Sequence, residues 1–232
     1  FLAIYLVTSH KKGISSLQLS RDLNVTQKTA WFMLQRIRNC FGIDNDTKLD
    51  NEVEIDESYF GGKARKQNHK IADNDPTLAS VTTKRGRGTN KVSVVGMVQR
   101  KGMVKTKVVE KLTKRNLLFM LKTYSKSDNS ILITDGFKSY KDLESYIDRL
   151  EINHSKQFSK GIVHVNTIEG FWSYVKNGIR GSFKAISKKY LPFYMVEYEW
   201  KFNNRNFKGN ELEKFLKNAL NQEKELEHWK AD

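Results

Sequence analysis

Three acidic residues, Asp56, Asp135 and Glu169, stand where carboxylates could share a metal ion. Asp56 ends the alternating stretch 53–56, which favours a strand, and Asp135 follows the apolar run 130–134. Glu169 lies in a stretch of helical periodicity over about 166–179. Oxygen-only ligands suit Mg²⁺ or Mn²⁺, and two such ions can support an in-line displacement at phosphorus. Taken singly, each acid is more simply a turn former, a cap or a solvated side chain.

The elements around these acids predict how they could meet. Residues 52–180 follow the order β-β-β-α-β-α-β-α, with a hairpin of strands Val92–Gln99 and Val104–Val109, helices near 114–126 and 137–148, and a last strand near 154–158. This is the order of the RNase H-like fold, in which the first and fourth strands are neighbours. We therefore expect an α/β catalytic domain over 50–185, a five-stranded mixed sheet flanked by helices. Helices near 187–205 and 210–229, in a segment 186–232, should pack on it. Spacing alone leaves nucleases, resolvases and integrases of this fold open.

Residues 1–45 predict a small helical unit ahead of that domain. Ser15 and Thr26 have the form of helix N-caps, and Asn24 suits the turn between the two helices, the second of which should end near residue 40. A short helix, a tight turn and a longer helix are typical of a helix-turn-helix, although an ordinary helical hairpin is the alternative. Three polar residues would face the DNA major groove: Gln27, Lys28 and Thr29.

The charge of the chain predicts a polyanionic partner. The 41 Lys and Arg residues exceed the 26 Asp and Glu residues and give a formal net charge of +15, which favours nucleic acid. Residues 63–90 form a polar, basic segment that we expect to be a phosphate-facing loop. Its candidate DNA-binding residues are Lys63, Arg65, Lys66, Lys84, Arg85 and Arg87.

Cysteine content and hydropathy restrict the setting of the protein. Cys40 is the only cysteine, so no disulfide framework is expected, and a reducing, cytoplasmic location is favoured. No run of about 18 apolar residues occurs, so we expect no membrane partner. The chain begins with Phe1 rather than Met, which indicates that residues are missing upstream.

Several motifs resemble those of bacterial insertion-sequence DDE transposases, in particular the ISXO2-like (IS1595) group. The most specific is the stretch 164–176, HVNTIEGFWSYVK. The stretches 53–62 (VEIDESYFGG) and 134–140 (TDGFKSY) resemble the blocks around the group's two catalytic aspartates, and 202–205 (FNNR) resembles its C-terminal helix motif. The leading segment 11–31 is similar to its helix-turn-helix, so the resemblance covers nearly the whole chain.

The resemblance implies roles for particular residues. Asp56, Asp135 and Glu169 would be the DDE triad that holds two Mg²⁺ or Mn²⁺ ions. Lys176, seven residues after Glu169 and on the same helix face, would hold a DNA phosphate. His164 and Asn166 should lie near the active-site entrance, where either could orient a phosphate. We expect Asn166 to be the N-cap of the helix.

The resemblance also implies the reaction. The expected activity is cleavage at transposon ends, which frees a 3′-OH, followed by strand transfer of that hydroxyl into target DNA without a covalent protein intermediate. The partner would be double-stranded DNA, both transposon ends and target, bound by a homodimer or a larger assembly. Members of the group often carry a cysteine-bearing zinc ribbon upstream, which this chain lacks.

Three other functions remain open. A nuclease of the same fold would share the carboxylates but would not join a 3′-OH to a second duplex. A non-catalytic helix-turn-helix regulator would bind DNA without needing three acids at these positions. A decayed transposase copy is the third, although the four motif positions Asp56, Asp135, Glu169 and Lys176 are intact.

Overall fold

A five-stranded mixed sheet forms the centre of the protein. The computed structural model describes residues 1–43, 47–61, 91–135, 140, 143–152 and 164–220. The strands are β1 (Leu49–Phe60), β2 (Val92–Gln99), β3 (Val104–Val109), β4 (Ser125–Asp135) and β5 (Asp148–Ile152), in the order β3-β2-β1-β4-β5. The first three pair antiparallel, whereas β4 runs parallel to both β1 and β5. This confirms the predicted RNase H-like α/β fold, with the first and fourth strands as neighbours.

Helices cover both faces of the sheet, because successive side chains of β1 point to opposite faces and contribute to a separate apolar cluster on each. Val53 and Ile55 belong to the apolar cluster on one face, which the helix α4 (Lys114–Tyr124) covers. Phe60 belongs to the cluster on the opposite face, which α5 (Asn166–Gly178) and α6 (Leu191–Asn203) cover. Glu54 and Asp56 share the parity of Phe60 along β1, so they lie on the α5 face.

The N-terminal residues form the predicted pair of helices. The bounds are α1 (Leu2–Ser9), α2 (Ser16–Leu23), α3 (Gln27–Asn39) and a 3₁₀ turn (Cys40–Ile43). The hydroxyl of Ser15 accepts a hydrogen bond from the backbone N–H of Gln18 at 3.1 Å, and Thr26 caps α3 in the same way. Asn24 takes the left-handed conformation between the helices, with φ 51°. The assignment of this pair as a DNA-reading unit stays a prediction.

The N-terminal helices share a core with the C-terminal ones. Trp200 of α6 and Phe215 of α7 (Glu211–Leu220) pack among the apolar side chains of α1, α2 and α3. Beneath them Arg38 donates to the carboxylate of Glu197 at 2.7 Å, and both side chains are fully buried. Burial alone would raise the pKa of Glu197, but Lys201 and Arg38 hold it below its usual value. The buried charges fix α3 against α6.

Some predicted boundaries are wrong. The fifth strand lies at Asp148–Ile152 rather than near 154–158, and residues 143–147 form a turn rather than the end of a helix over 137–148. Because β5 is an edge strand with the exposed residue Leu150, its apolar alternation is short and weak. The positions 62–90, 154–158 and 221–229 lie outside the described residues. None of the described helices is long and apolar enough to cross a membrane.

Candidate active site

An open cleft of about 310 Å³ lies between β1 and α5. Its lining brings together three of the four predicted catalytic residues: Asp56, Glu169 and Lys176. Asp56 is half-buried on the sheet, whereas Glu169 is exposed in the first turn of α5. The rest of the lining consists of Glu57, Ser58, Trp172, Ser173, Asn177 and Arg180. Two carboxylates from separate elements and a nearby ammonium group therefore share one solvent-accessible space.

The backbone of Asp135 lies at the same end of the sheet. Glu54 of β1 is in register with Ile133 of the parallel strand β4, and extending that offset by two residues brings position 135 beside Asp56. Asp135 is the last residue of β4 and pairs with Ile152. Its side chain lies outside the described part of the structure, so its place in the triad stays a prediction. Among the side chains that are described, no group of three or more His, Cys, Asp or Glu could hold a metal ion.

The charges around the cleft are of both signs. Burial lowers the pKa of Lys176, Asp56 opposes this effect, and the neighbouring cations Arg180 and Lys91 lower the pKa further. Lys176 therefore interacts with one carboxylate and two further cations. A positively charged rim beside the carboxylates suits a phosphate that approaches them.

The N-terminus of α5 is capped by a strand residue that sequence reasoning missed. The carboxylate of Glu54 is fully buried and accepts hydrogen bonds from the backbone N–H of Ile168, the hydroxyl of Thr167 and the guanidinium of Arg100, each at 2.9 Å. The predicted N-cap, Asn166, is wrong: α5 begins at Asn166 after Val165, and neither makes a side-chain cap. A helix N-terminus favours a carboxylate because its first N–H groups have no partner within the helix. The available signal was the parity of Glu54 with Asp56.

A glycine opposite Asp56 lets α5 approach the sheet closely. Gly96 of β2 is in register with Asp56, and a Cβ added there would lie 2.6 Å from the ring of Trp172 and 2.9 Å from Ile168. Both neighbours belong to α5. At the other end of the helix, a Cβ on Gly178 would clash with the hydroxyl of Tyr198. The helix that carries Glu169 and Lys176 is thus seated by close contacts along its length.

A second missed contact ties the segment after β4 to the first strand. Tyr140 is fully buried, and its hydroxyl donates to the carboxylate of Glu57 at 2.7 Å. Glu57 directly follows Asp56, and Tyr140 comes five residues after Asp135. The hydrogen bond therefore joins the chain just beyond each of the two predicted aspartates.

The other predicted site residues lie away from the centre of the cleft or outside the described residues. His164 is half-buried, with its Nδ1 3.5 Å from the carboxylate of Glu54, and its carbonyl accepts from Arg100. Asn166 is exposed. Gln27, Lys28 and Thr29 are exposed in the first turn of α3. The predicted DNA-binding residues of the loop all fall within 62–90, outside the described residues: Lys63, Arg65, Lys66, Lys84, Arg85 and Arg87.

The strand order and the acidic cleft define an RNase H-like α/β domain, and a comparison with family models narrows the class. The ISXO2-like transposase domain matches residues 48–203. The chain therefore belongs to the ISXO2-like transposase family. A relative from Haemophilus influenzae, named as an uncharacterized transposase-like protein, is 34% identical over 120 residues, which are 50% of this chain and 96% of that protein.

Two solved structures show a distant likeness. A chain of the simian T-cell lymphotropic virus intasome in complex with the PP2A regulatory subunit B56 gamma is 11% identical, with a TM-score of 0.37. The match covers 83% of this chain and 62% of that chain. A pre-cleavage Mos1 transpososome is 13% identical, with a TM-score of 0.34, and the match covers 90% of this chain and 74% of that one. At such scores nothing about the chemistry of this chain follows from either structure.

Proposed function

We propose that this protein is the transposase of an insertion sequence, which cleaves DNA at the transposon ends and joins the freed 3′-OH to target DNA. The observation that carries the proposal is the shared cleft of Asp56, Glu169 and Lys176 in a chain of the ISXO2-like transposase family. A non-catalytic DNA-binding protein would give no reason for carboxylates from a strand and a distant helix to line one open space.

The donor set fits divalent metal ions. Asp56 and Glu169 offer only oxygen, and the cleft between them is open to solvent. In this proposal Asp135 is the third carboxylate, from the strand beside β1. A pair of Mg²⁺ or Mn²⁺ ions would supply activation of the attacking oxygen and stabilisation of the leaving oxygen.

The remaining cleft residues have roles in holding DNA. Lys176 lies within electrostatic range of Asp56, so its ammonium group can bind the phosphate next to the scissile one. Arg180 adds a planar, multidentate donor on the same helix side of the cleft. The exposed first turn of α3 would read the duplex through Gln27, Lys28 and Thr29. Pairing of two transposon ends requires two active sites, so we expect a homodimer or a larger assembly on DNA.

The carboxylate assignment can be tested with matched substitutions. Asp56→Asn and Asp135→Asn should abolish Mg²⁺-dependent nicking of DNA that contains the element's ends, because an amide is a poor ligand for a hard cation. Asp50→Asn is the control, since Asp50 lies on β1 as well but accepts from Gln99 at 2.7 Å, away from the cleft. Nicking by purified Asp135→Asn at the wild-type rate would contradict the triad.

A strand-transfer assay separates the transposase from a nuclease of the same fold. Pre-cleaved ends with a free 3′-OH, incubated with a supercoiled target and Mg²⁺, should become joined to the target. Cleavage of intact ends without any joining would favour the nuclease. DNA binding with neither reaction would favour a regulator or an inactive copy.

A further inference from the structure

The segment that follows α5 is basic and contains no acid. Between Glu169 and Glu197 the chain has no Asp or Glu, and five cations lie in the stretch 176–189. Four of these cations are exposed: Arg180, Lys184, Lys188 and Lys189. We call these four residues the basic ridge. Because no acidic residue lies near it in the sequence, the ridge is a strong local source of positive potential.

The ridge is held in place by aromatic contacts. Residues Ile179–Phe183 form a π-helical turn directly after α5, and the ring of Phe183 packs edge-on against Tyr194 at 4.8 Å between centroids. The hydroxyl of Ser182 donates to the carbonyl of Gly13 at 3.1 Å, which joins the turn to the loop before α2. The backbone that carries the ridge is therefore fixed to both α6 and the N-terminal helices.

One ridge residue has a strained backbone. Lys184 has φ 63° and ψ −55°, and the N–H of Ala185 donates across it to the carbonyl of Phe183 at 2.7 Å. This is a γ-turn of the hand that is rare and costly for an L-residue. Strained conformations of this kind concentrate at functional sites, where the surrounding structure maintains them. Here the contacts of Phe183 and Ser182 hold the exposed Lys184 in this strained conformation.

The ridge connects the cleft to the start of α3. At one end Arg180 lines the cleft beside Lys176. At the other end the ammonium group of Lys189 lies 5.7 Å from the ring centroid of Tyr190, and Tyr190 packs edge-on against Trp31 of α3 at 5.0 Å. Trp31 is one helical turn beyond Gln27 and Lys28.

We infer that the basic ridge binds the phosphates of duplex DNA on the path from the start of α3 to the cleft. The inference rests on the proposed function, because it assigns the ridge to the DNA that flanks the scissile phosphate. The four side chains are exposed cations, and one of them, Arg180, lines the cleft together with Lys176. Bound phosphates would offset the repulsion among these cations and release condensed counterions.

A matched pair of variants tests the ridge. The first replaces Arg180, Lys184, Lys188 and Lys189 with Gln. The control replaces Lys111, Lys114, Arg115 and Lys122 with Gln; these exposed residues lie on or next to α4, which covers the opposite face of the sheet. Each variant loses one Arg and three Lys, so both have the same net charge.

Binding is measured by fluorescence anisotropy with a labelled duplex of arbitrary sequence, over a series of KCl concentrations and without divalent metal. Loss of four phosphate contacts should make the slope of log K against log salt shallower by about 3 to 4 for the ridge variant. The control variant should keep the wild-type slope. Circular dichroism and urea unfolding of both variants establish that each is folded.

Equal slopes and affinities for the two variants would overturn the inference. Cleavage of end-containing DNA by the wild-type chain, measured in parallel, tests the proposed function separately. If the ridge variant binds DNA more weakly but the wild-type chain never cleaves, the inference about the ridge stands and the transposase proposal fails. If the wild-type chain cleaves and the ridge variant binds as well as the control, only the inference about the ridge fails.

Discussion

Replacement of Glu54 should damage the active site although this residue lies outside the cleft lining. In Glu54→Gln, the carbonyl oxygen of the new side chain can replace only one of the two carboxylate oxygens. Its NH2 group then faces either the N–H of Ile168 or the guanidinium of Arg100, and that donor loses its acceptor. A buried donor left without an acceptor costs about 1–3 kcal/mol, and more when it is charged. Removal of one partner from a buried ion pair costs about 3–5 kcal/mol. We therefore expect the free energy of unfolding to fall by about 3 kcal/mol in Glu54→Gln and by about 3–5 kcal/mol in Glu54→Ala.

The effect on activity should exceed the effect on folding. Ile168 directly precedes Glu169, so loss of the cap frees the turn that carries the proposed ligand. A displacement of about 1 Å can lower a rate by about a hundredfold. In conditions where urea titration shows Glu54→Gln to be folded, kcat for cleavage should fall by about that factor and the Mg²⁺ requirement should rise. The Kd for DNA should stay near the wild-type value, and Glu54→Asp should recover part of the rate.

Glu52→Gln is the matched control. Glu52 lies on the same strand and pairs with the same arginine at 3.2 Å, but its side chain is 41% exposed whereas that of Glu54 is 0% exposed. An exposed pair of this kind contributes under about 1 kcal/mol. If Glu54→Gln matched Glu52→Gln in both the free energy of unfolding and the cleavage rate, the positioning role of Glu54 would be refuted.

Three further predictions concern single residues. Gly96→Ala should lower the free energy of unfolding by about 1–3 kcal/mol and slow cleavage, because its Cβ would press on Trp172. Gly170→Ala is the control in urea unfolding, since the space around its Cβ is open. Equal stability of the two variants would contradict the close packing of α5 on the sheet. Burial raises the pKa of Glu199 from 4.5 to about 7 although Lys105 opposes this. The contribution of Glu199 to the free energy of unfolding should therefore be complete below pH 4.5 and be lost, by about 3 kcal/mol, as the pH rises to about 7. Glu199→Gln should flatten that profile, and an unchanged pH dependence of urea unfolding would rule the effect out. Lys184→Gly should raise the free energy of unfolding by about 1 kcal/mol, since its strained backbone suits glycine, yet weaken DNA binding in the anisotropy assay; lower stability would count against the strain.

Much of the fold could be predicted from the sequence because its signals are local. The caps at Ser15 and Thr26, the alternation over 53–56 in β1 and the hairpin of β2 and β3 each depend on a few adjacent residues. The fifth strand could not be placed in this way. Its edge position leaves Leu150 exposed, and its partner strand β4 supplies the pairing that the alternation alone does not specify.

The candidate site also contains residues that the sequence predicts and residues that it does not. Asp56, Glu169 and Lys176 were identified from their elements and from motif resemblance, and all three line the cleft. Glu54 was missed because its helix partners Thr167 and Ile168 lie more than a hundred residues away along the chain, and no local pattern encodes those contacts. Gly96 left a weak signal, since a glycine inside a strand often marks close approach by another element.

The placement of Glu54 also explains why a carboxylate is buried at a position where an apolar side chain would give the fold equal stability. A buried ion pair is weak evidence for stability, because desolvation offsets most of the attraction. The same strand, β1, carries both Glu54 and Asp56, while α5 carries both the capped turn and Glu169. The hydrogen bond from Ile168 to Glu54 therefore couples the two carboxylates of the cleft through a single contact between strand and helix. An apolar residue at position 54 could fill the same space, but it could not fix the first turn of α5 along and around the helix axis, as a directional hydrogen bond does.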